Sequence, residues 1–279
     1  MNFSQSAQLA KRLDWVESTG STNSDLIAAA TADSAAYPDF SVLVTSEQTA
    51  GRGRSGREWQ APAGSSLFVS VLLRPTAVAA TQFAWLPLIA GMSMANAISQ
   101  FAGSRRAQVK WPNDVLIGDK KVCGVLSELL TDASGVVIGA GVNVFQSLEQ
   151  LPVETATSLA HEKITIESLD DLLAAYLKNL RLHMNDFIAL AGELGATDLH
   201  EQISMTCSSI GREVRVLLPN NQQFVGKAIA IDSIGRLVVQ NESETRSLPH
   251  RQQRQRHLAE AHSKHRRPSC RQSRHRLAT

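Results

Sequence analysis

The segment from Glu47 to Trp59, EQTAGRGRSGREW, contains the residues in this chain best suited to hold an anion. Its arginines Arg52, Arg54 and Arg57 alternate with glycines. Glycine lets the backbone approach a ligand closely, and a guanidinium group binds phosphate or carboxylate through two parallel hydrogen bonds. The segment therefore predicts a loop that orders around an anion. Taken alone, it is also compatible with a solvated arginine loop or a contact to RNA.

Two further motifs follow downstream. The segment KWPND, residues 110–114, comes at the end of a predicted strand, and the segment GDKKVCG, residues 118–124, forms the next turn. A cation in that turn would stabilise the negative charge that develops in phosphoryl chemistry. Lys120 and Lys121 are the two lysines of this turn, although a lysine in such a turn is ordinarily solvated. Neighbouring strand residues point to opposite faces, so only one of Lys120 and Lys121 is expected to point inward.

These motifs resemble, in this order, those of the biotin–protein ligase family: G-R-G-R-x-G-R-x-W, K-W-P-N-D and K-x-x-G. The resemblance runs from about Ser18 to Leu248 and includes STN at residues 21–23 and GAGVNV at residues 139–144. It implies an enzyme that activates biotin with ATP as biotinyl-AMP. The enzyme then transfers the biotinyl group to a lysine of a biotin carboxyl carrier protein.

The resemblance also implies which residues hold biotin. The ureido ring of biotin is neutral, and hydroxyl, amide and backbone groups can satisfy it without a buried charge. Lys121 and Arg54 are the expected catalytic residues, with Lys121 against the biotin carboxylate. Ser21 and Thr22 have a second role open to them as helix caps. The expected biotin-binding residues are Ser21, Thr22, Asn23, Gln48, Gly51, Arg52, Gly53, Arg54, Lys121 and Gly124.

For the nucleotide, the resemblance implies arginines on the phosphates and Trp59 on the adenine, with Trp59 as an ordinary core residue being the alternative. Asp114 is the expected ligand for Mg²⁺, which prefers carboxylate and phosphate oxygens. The Gly-x-x-x-x-Gly-Lys-Ser/Thr phosphate loop does not occur in the sequence. The expected ATP-binding residues are Arg54, Arg57, Trp59, Lys110, Asn113, Asp114 and Asn143.

Hydrophobic periodicity predicts the elements that position these motifs. Thr22 and Asp25 form a candidate capping box at a helix start, strands are expected over 41–46 and 66–73, and a buried helix is expected from about Pro87. A short strand at 107–110, a meander over 115–117, 122–130 and 135–144, and a helix over 166–190 follow. Four short strands, 213–218, 223–232, 235–240 and 245–248, predict a small β-barrel.

The predicted fold class is α+β, with residues 1–205 as the catalytic core and residues 206–249 as the small domain. The resemblance implies a class II aminoacyl-tRNA synthetase-like core with a mixed or antiparallel sheet, and an SH3-like C-terminal barrel. About twenty residues precede Ser21, so an N-terminal DNA-binding domain and specific DNA binding are not expected.

Charge is distributed unevenly along the chain. Residues 250–279 hold nine of the 28 Lys and Arg residues but only one of the 26 acids, so they carry +8 and residues 1–249 carry −6. An acidic body argues against a nucleic-acid-binding module, one alternative function. The basic tail has few aliphatic residues and is predicted to be disordered from about residue 250. Two explanations of the basic tail are open: a genuine extension of the protein, or an altered reading frame.

A lipoate-type acyl–protein ligase is the alternative within the same fold, although its Arg-Arg-x-x-Gly-Gly-Gly stretch is missing. Three separated cysteines, Cys123, Cys207 and Cys270, suggest neither disulfides nor a zinc site. The chain has no stretch of roughly 18 apolar residues and no secretory signal, so the cytoplasm is the expected location. A monomer or weak homodimer is expected.

Overall fold

A computed structural model describes residues 1–218 and 222–249, together with the backbone of residues 255–257. Two sheets organise the chain. The first sheet has seven strands in the order β1-β2-β3-β7-β6-β5-β4, in which β1 and β2 run parallel and all other neighbours run antiparallel. Its strands are β1 Arg12–Trp15, β2 Ser41–Thr45, β3 Ser66–Leu73, β4 Ala107–Lys110, β5 Asp114–Ile117, β6 Lys120–Leu129 and β7 Val136–Asn143.

Helices cover both faces of this sheet, as the side-chain alternation in its strands requires. Val42 and Val44 of β2 belong to the main core, whereas Leu43 between them packs into a smaller cluster with Leu26 on the opposite face. The helices are α1 Ser4–Leu9, α2 Thr22–Ala32, α3 Leu86–Phe101, α4 Leu169–Ala189 and α5 Asp198–Thr206. Helix α2 lies on the smaller cluster, while α3 and α4 pack against each other over the main core.

The second sheet is antiparallel, with five strands in the order β11-β10-β9-β8-β12. Its strands are β8 Glu213–Leu217, β9 Gln223–Ile231, β10 Leu237–Gln240, β11 Thr245–Leu248 and β12 Gln255–His257. Strand β12 pairs with β8, so three residues within the tail predicted to be disordered form a strand. The remainder of that prediction, residues 250–254 and 258–279, lies outside the described residues.

The predicted elements agree closely with the observed ones, and the differences have local causes. The capping box at Thr22 was wrong: the helix cap is Ser21, which makes no side-chain cap bond, and Thr22 is the first helical residue. The hydroxyl of Thr19 bonds the Asp25 carboxylate instead. Sequence periodicity also missed α1, β1 and α5, which are short and mostly polar segments without a clear apolar pattern.

The α+β class is confirmed by the mixed sheet, its helices and the separate antiparallel sheet. Within the described residues no helix is both long and apolar enough to cross a bilayer. Cys123 and Cys207 are buried and form no disulfide, and burial raises the pKa of Cys123 to about 12.

Candidate active site

The segment Glu47 to Trp59, called the Gly-Arg loop below, connects β2 to β3. Hydrogen bonds within its own backbone hold its shape. The amide of Gly53 donates to the carbonyl of Arg57 at 2.6 Å, and the amide of Trp59 donates to the carbonyl of Gly51 at 2.8 Å. A Cβ at position 51 would lie 2.5 Å from the Trp59 carbonyl oxygen, so only glycine permits this approach. The loop is therefore a closed hairpin-like turn whose shape depends on glycine.

The three loop arginines have different partners. Arg54 donates to Asn113 Oδ1 at 2.8 Å, and Arg52 pairs with a carboxylate oxygen of Glu128 at 2.8 Å. Arg57 is exposed and reaches back to the Arg54 carbonyl at 3.3 Å. Burial lowers the pKa of Arg54, opposed by the nearby charge of Asp114. The loop thus presents one partly buried and two solvent-accessible cations to a cleft of about 1530 Å³.

The residues expected to hold biotin form one hydrogen-bond network at the start of α2. Gln48 Oε1 accepts the backbone N–H of Thr22 at 2.8 Å and its hydroxyl at 3.0 Å. Ser70, on β3, lies 2.8 Å from Thr22 Oγ1 and 2.6 Å from Asn23 Oδ1. Ser21, Thr22 and Asn23 are all buried. The network leaves uncharged polar groups facing the end of a small pocket.

That small pocket contains six of the ten predicted biotin residues but has little space. Its volume is about 30 Å³, room for roughly one or two water molecules. The indole of Trp59 fills its mouth: a Cβ at position 124 would lie 2.8 Å from the ring, and one at 141 would lie 3.2 Å from it. The predicted residues in the pocket wall are Ser21, Thr22, Asn23, Gln48, Arg52 and Gly124. Gly51, Gly53 and Arg54 line the larger cleft instead.

Trp59 therefore lies with the predicted biotin residues rather than apart from them. It is half-buried, and Lys121 Nζ lies 5.2 Å from the centre of its ring. Its Nε1–H is buried and makes no hydrogen bond within the described residues. The chain places a donor without a partner at the boundary between the small pocket and the Gly-Arg loop.

Lys121 lies on β6, where its backbone N–H and C=O bond the carbonyl of Thr155 and the amide of Thr157, each at 2.8 Å. Its Nζ atom is 2.6 Å from Asp114 Oδ1. Lys110 on β4 pairs across the strands with Asp114 on β5. Burial lowers the pKa of Lys110, and the negative charge of Asp114 opposes that shift. One carboxylate is thus shared among three cations, Lys121, Lys110 and Arg54, which leaves a positive field suited to anionic reactants.

The two asparagines of the predicted nucleotide site differ in their surroundings. Asn113 connects loop and sheet, since its amide donates to the Val125 carbonyl at 2.7 Å and its Oδ1 receives Arg54. Asn143 is buried, and both ends of its amide group are engaged by Thr157 and Gln146. Asn113 lines the larger cleft, so its position favours a role in ligand binding. The contacts of Asn143 favour a structural role.

Sequence reasoning missed two polar residues of this site. Glu128 accepts the Asn23 amide at 2.9 Å as well as Arg52, so it joins the pocket to the loop. Ser70 joins Thr22 to Asn23. A hydroxyl within the otherwise apolar strand SLFVSVLL was a detectable signal for Ser70, because a buried polar group needs a partner. Glu128 has no comparable signal in its spacing.

The cleft, the cationic loop and the buried polar pocket define an acyl-activating ligase, and comparisons with known proteins identify which kind. Residues 15–143 match the Biotin/lipoate A/B protein ligase family, and residues 209–252 match the Biotin protein ligase C terminal domain. The chain belongs to this family and is a biotin–protein ligase, as its motifs predicted.

Individual relatives agree with this assignment. The chain is 37% identical over 229 residues to the biotin–[acetyl-CoA-carboxylase] ligase of Mycobacterium tuberculosis, covering 81% of this chain and 82% of the relative. It is 31% identical to the bifunctional ligase/repressor BirA of Bacillus spizizenii, covering 76% of this chain and 65% of the relative.

Among solved structures, the biotin protein ligase from Aquifex aeolicus in complex with biotin and ATP superposes with a TM-score of 0.75. It is 26% identical, and the match covers 88% of this chain and 99% of that one. These similarities favour a biotin ligase over both the lipoate-type and the nucleic-acid-binding alternatives.

Proposed function

We propose that this chain uses ATP to activate biotin and passes the biotinyl group to a lysine of a biotin carboxyl carrier protein. A carboxylate oxygen of biotin attacks the α-phosphorus of ATP, and the bond to the β-phosphate oxygen breaks to release pyrophosphate. The amine of the carrier lysine then attacks the acyl carbon of biotinyl-AMP and loses a proton as the amide forms and AMP leaves. The observation that supports this most directly is the juxtaposition of a neutral polar pocket with a cationic cleft.

Biotin is proposed to occupy the small pocket, with its ureido ring toward Gln48 and Thr22 and its carboxylate toward Lys121. The hydroxyls and amides there suit a neutral ring, and the nearby ammonium group suits the carboxylate. Because the pocket now has about 30 Å³, the Trp59 side chain and the Gly-Arg loop must shift to admit biotin. Ordering of the loop around the adenylate would then exclude water from the anhydride.

The nucleotide is proposed to lie in the larger cleft, with Arg54 and Arg57 on its phosphates and Asn113 and Lys110 behind them. The contact of Trp59 with adenine stays a prediction; its position between pocket and loop is equally suited to cover the acyl–phosphate junction. A class II synthetase-like core and an SH3-like barrel remain the expected fold relationships. The expected cytoplasmic location and monomeric or weakly dimeric state stay predictions as well.

Mg²⁺ is proposed to accompany ATP. Within the described residues no group of three or more His, Cys, Asp or Glu side chains could hold a metal ion. Asp114 supplies a single carboxylate beside Lys121, which suits a Mg²⁺ that takes its remaining ligands from phosphates and water. When bound, the ion would offset phosphate charge, and the residues Asp114 and Lys121 would set where that charge is held.

The test is to incubate the protein with a purified carrier domain, ATP and biotin, and to weigh the carrier by intact-mass spectrometry. The expected result is one added biotinyl group, which disappears when ATP is omitted. A parallel reaction with lipoate in place of biotin tests the acyl preference. A carrier that gains no mass with biotin, or gains lipoyl in preference, would contradict the proposal.

A further inference from the structure

The small C-terminal sheet is attached to the catalytic core through the turn between β9 and β10. Three carbonyls of this segment, at alternate residues Ile231, Ser233 and Gly235, each accept a ring N–H from the core. The donors are His200 at 2.9 Å, Trp85 at 3.3 Å and Trp111 at 3.1 Å, in that order. Three donors on three separate elements hold one turn in a fixed orientation.

The turn also has hydrogen bonds of its own. Asp232 accepts the backbone amides of Ile234 at 3.1 Å and Arg236 at 2.9 Å, and it also pairs with the Arg236 guanidinium at 2.7 Å. Gly235 has a φ of +82°, in the left-handed region that glycine tolerates best. These contacts within the turn help to orient the Gly235 carbonyl toward its donor.

Among the three donors, Trp111 alone belongs to the KWPND motif. Its indole is 1% exposed, and its backbone amide donates to Ser209 Oγ at 3.1 Å. Two residues on, the side-chain amide of Asn113 donates to the Val125 carbonyl at 2.7 Å, and its Oδ1 accepts a hydrogen bond from Arg54 at 2.8 Å. A continuous path of hydrogen bonds and covalent bonds thus runs from the C-terminal turn, through Trp111 and Asn113, to the Gly-Arg loop.

Trp85 provides a natural contrast. It is fully buried and donates to the same turn, but it precedes α3, and no hydrogen bond found among the described residues joins it to the KWPND motif. Loss of either indole N–H would weaken the attachment of the turn by a similar amount, since each is a single neutral hydrogen bond. Of these two bonds, only the Trp111 bond reaches the segment that contains Asn113.

We propose that Trp111 is a positioning residue through which the C-terminal domain fixes Asn113 and Arg54 for nucleotide binding. The expected change in the KM for ATP rests on the proposed function. The structural consequence, order in the loop, stands without it.

The experiment compares Trp111→Phe with Trp85→Phe in the full chain. Each substitution keeps an aromatic ring and removes one N–H donor to the turn. Hydrogen–deuterium exchange, read by mass spectrometry, should show faster exchange of the loop amides of Gly53 and Trp59 in W111F, with the loop in W85F exchanging as in the wild type. Equal loop exchange in both variants, or no change in W111F, would overturn the proposal.

Biotin-dependent exchange of pyrophosphate into ATP supplies the second readout. W111F should raise the KM for ATP on the order of tenfold, within the range that small misplacements cost, and should leave the KM for biotin near the wild-type value. W85F should leave both constants unchanged. A wild-type protein without exchange activity would refute the proposed function, whereas the loop measurement would still decide the role of Trp111.

A second variant changes the turn itself rather than its donor in the core. Asp232→Asn weakens the acceptor that shapes the turn without altering any core residue, so it tests the same path if W111F fails to fold. Faster loop exchange with a raised KM for ATP is the expected result. A lowered melting temperature with unchanged loop exchange would mean that the turn only attaches the domain, and the proposal would fall.

Discussion

Lys121 Nζ lies 2.6 Å from Asp114 Oδ1, so the lysine proposed to meet the biotin carboxylate is already paired inside the protein. The Lys121 and Asp114 side chains are 32% and 28% exposed. Solvent screens a pair of this kind, and its net contribution to stability is small. A substrate carboxylate can therefore share or replace Asp114 without a large free-energy cost, while Asp114 keeps the ammonium group oriented.

Substitution of Lys121 by alanine should reduce biotin-dependent exchange of pyrophosphate into ATP by roughly 100-fold or more, the scale seen when one preorganised donor to a developing charge is removed. Lys120→Ala is the matched control, because neighbouring residues on a strand point to opposite faces. It should retain nearly full exchange. Comparable losses in the two variants would remove Lys121 from the reaction.

Asp114→Asn separates the two roles proposed for the carboxylate. The amide keeps the size of the side chain but removes the charge that offsets Lys121, Lys110 and Arg54. The Mg²⁺ concentration for half-maximal exchange should rise, while the KM for biotin should stay the same or fall, because the biotin carboxylate no longer competes for Lys121. An unchanged Mg²⁺ requirement would show that Asp114 does not contact the metal.

The sequence predicted the framework well because its elements are set by local periodicity. Strand β3 was placed at its observed bounds, and α3 was expected to begin within one residue of its start at Leu86. Six of the predicted biotin residues, from three separate segments, meet in one pocket, as their motifs implied. The sequence did not predict which side chain fills that pocket. The position of Trp59 depends on tertiary contacts with Gly124 and Gly141, which lie 65 and 82 residues further along the chain.

The same limit applied to the ion pairs. Arg52 was expected among the biotin-binding residues, and nothing in the spacing indicated that its side chain would reach Glu128 across the sheet. Cross-sheet partners depend on strand order, and the pairing of β3 with β7 was not derivable from turn chemistry, which predicted only the meander that contains β6 and β7. Motif reasoning therefore located the site but not the contacts that hold the loop beside it.

Glu128→Gln tests whether the Arg52 ion pair holds the Gly-Arg loop closed. The pair is partly exposed, at 45% and 25% for the two side chains, so its loss should be worth at most about 1 kcal/mol. Tryptic cleavage within residues 52–57 should accelerate by up to roughly fivefold, because that free energy sets the open population of the loop. Biotin should restore protection.

Glu58→Gln is the control for that experiment, since Glu58 lies in the same loop but bonds only the neighbouring Gln60 among the side-chain contacts described. Its cleavage rate should match the wild type. If the two glutamine variants are cut equally fast, the loop is held by its backbone turn rather than by the pair between Arg52 and Glu128.

His183 gives the fold a dependence on pH that is separate from the active site. It is 4% exposed between α3 and α4, and its Nδ1 lies 2.9 Å from Ser93 Oγ. The Ser93 hydroxyl donates to the Ile89 carbonyl at 2.7 Å, so Nδ1 must carry the proton that bonds Ser93. Burial lowers the pKa of His183 below its usual 6.5, opposed by Asp186.

Because the pKa of His183 is lower in the folded chain than in the unfolded one, the unfolded chain binds the extra proton first as the pH falls. The contribution of the neutral histidine is complete above pH 6.5 and is lost as the pH falls toward the folded pKa. His183→Asn, which keeps an N–H donor for Ser93, should therefore have a flatter profile of unfolding free energy between pH 8 and pH 5, measured by urea denaturation. The exposed His161→Asn should reproduce the wild-type slope. A wild-type slope in H183N would assign the acid sensitivity to other groups.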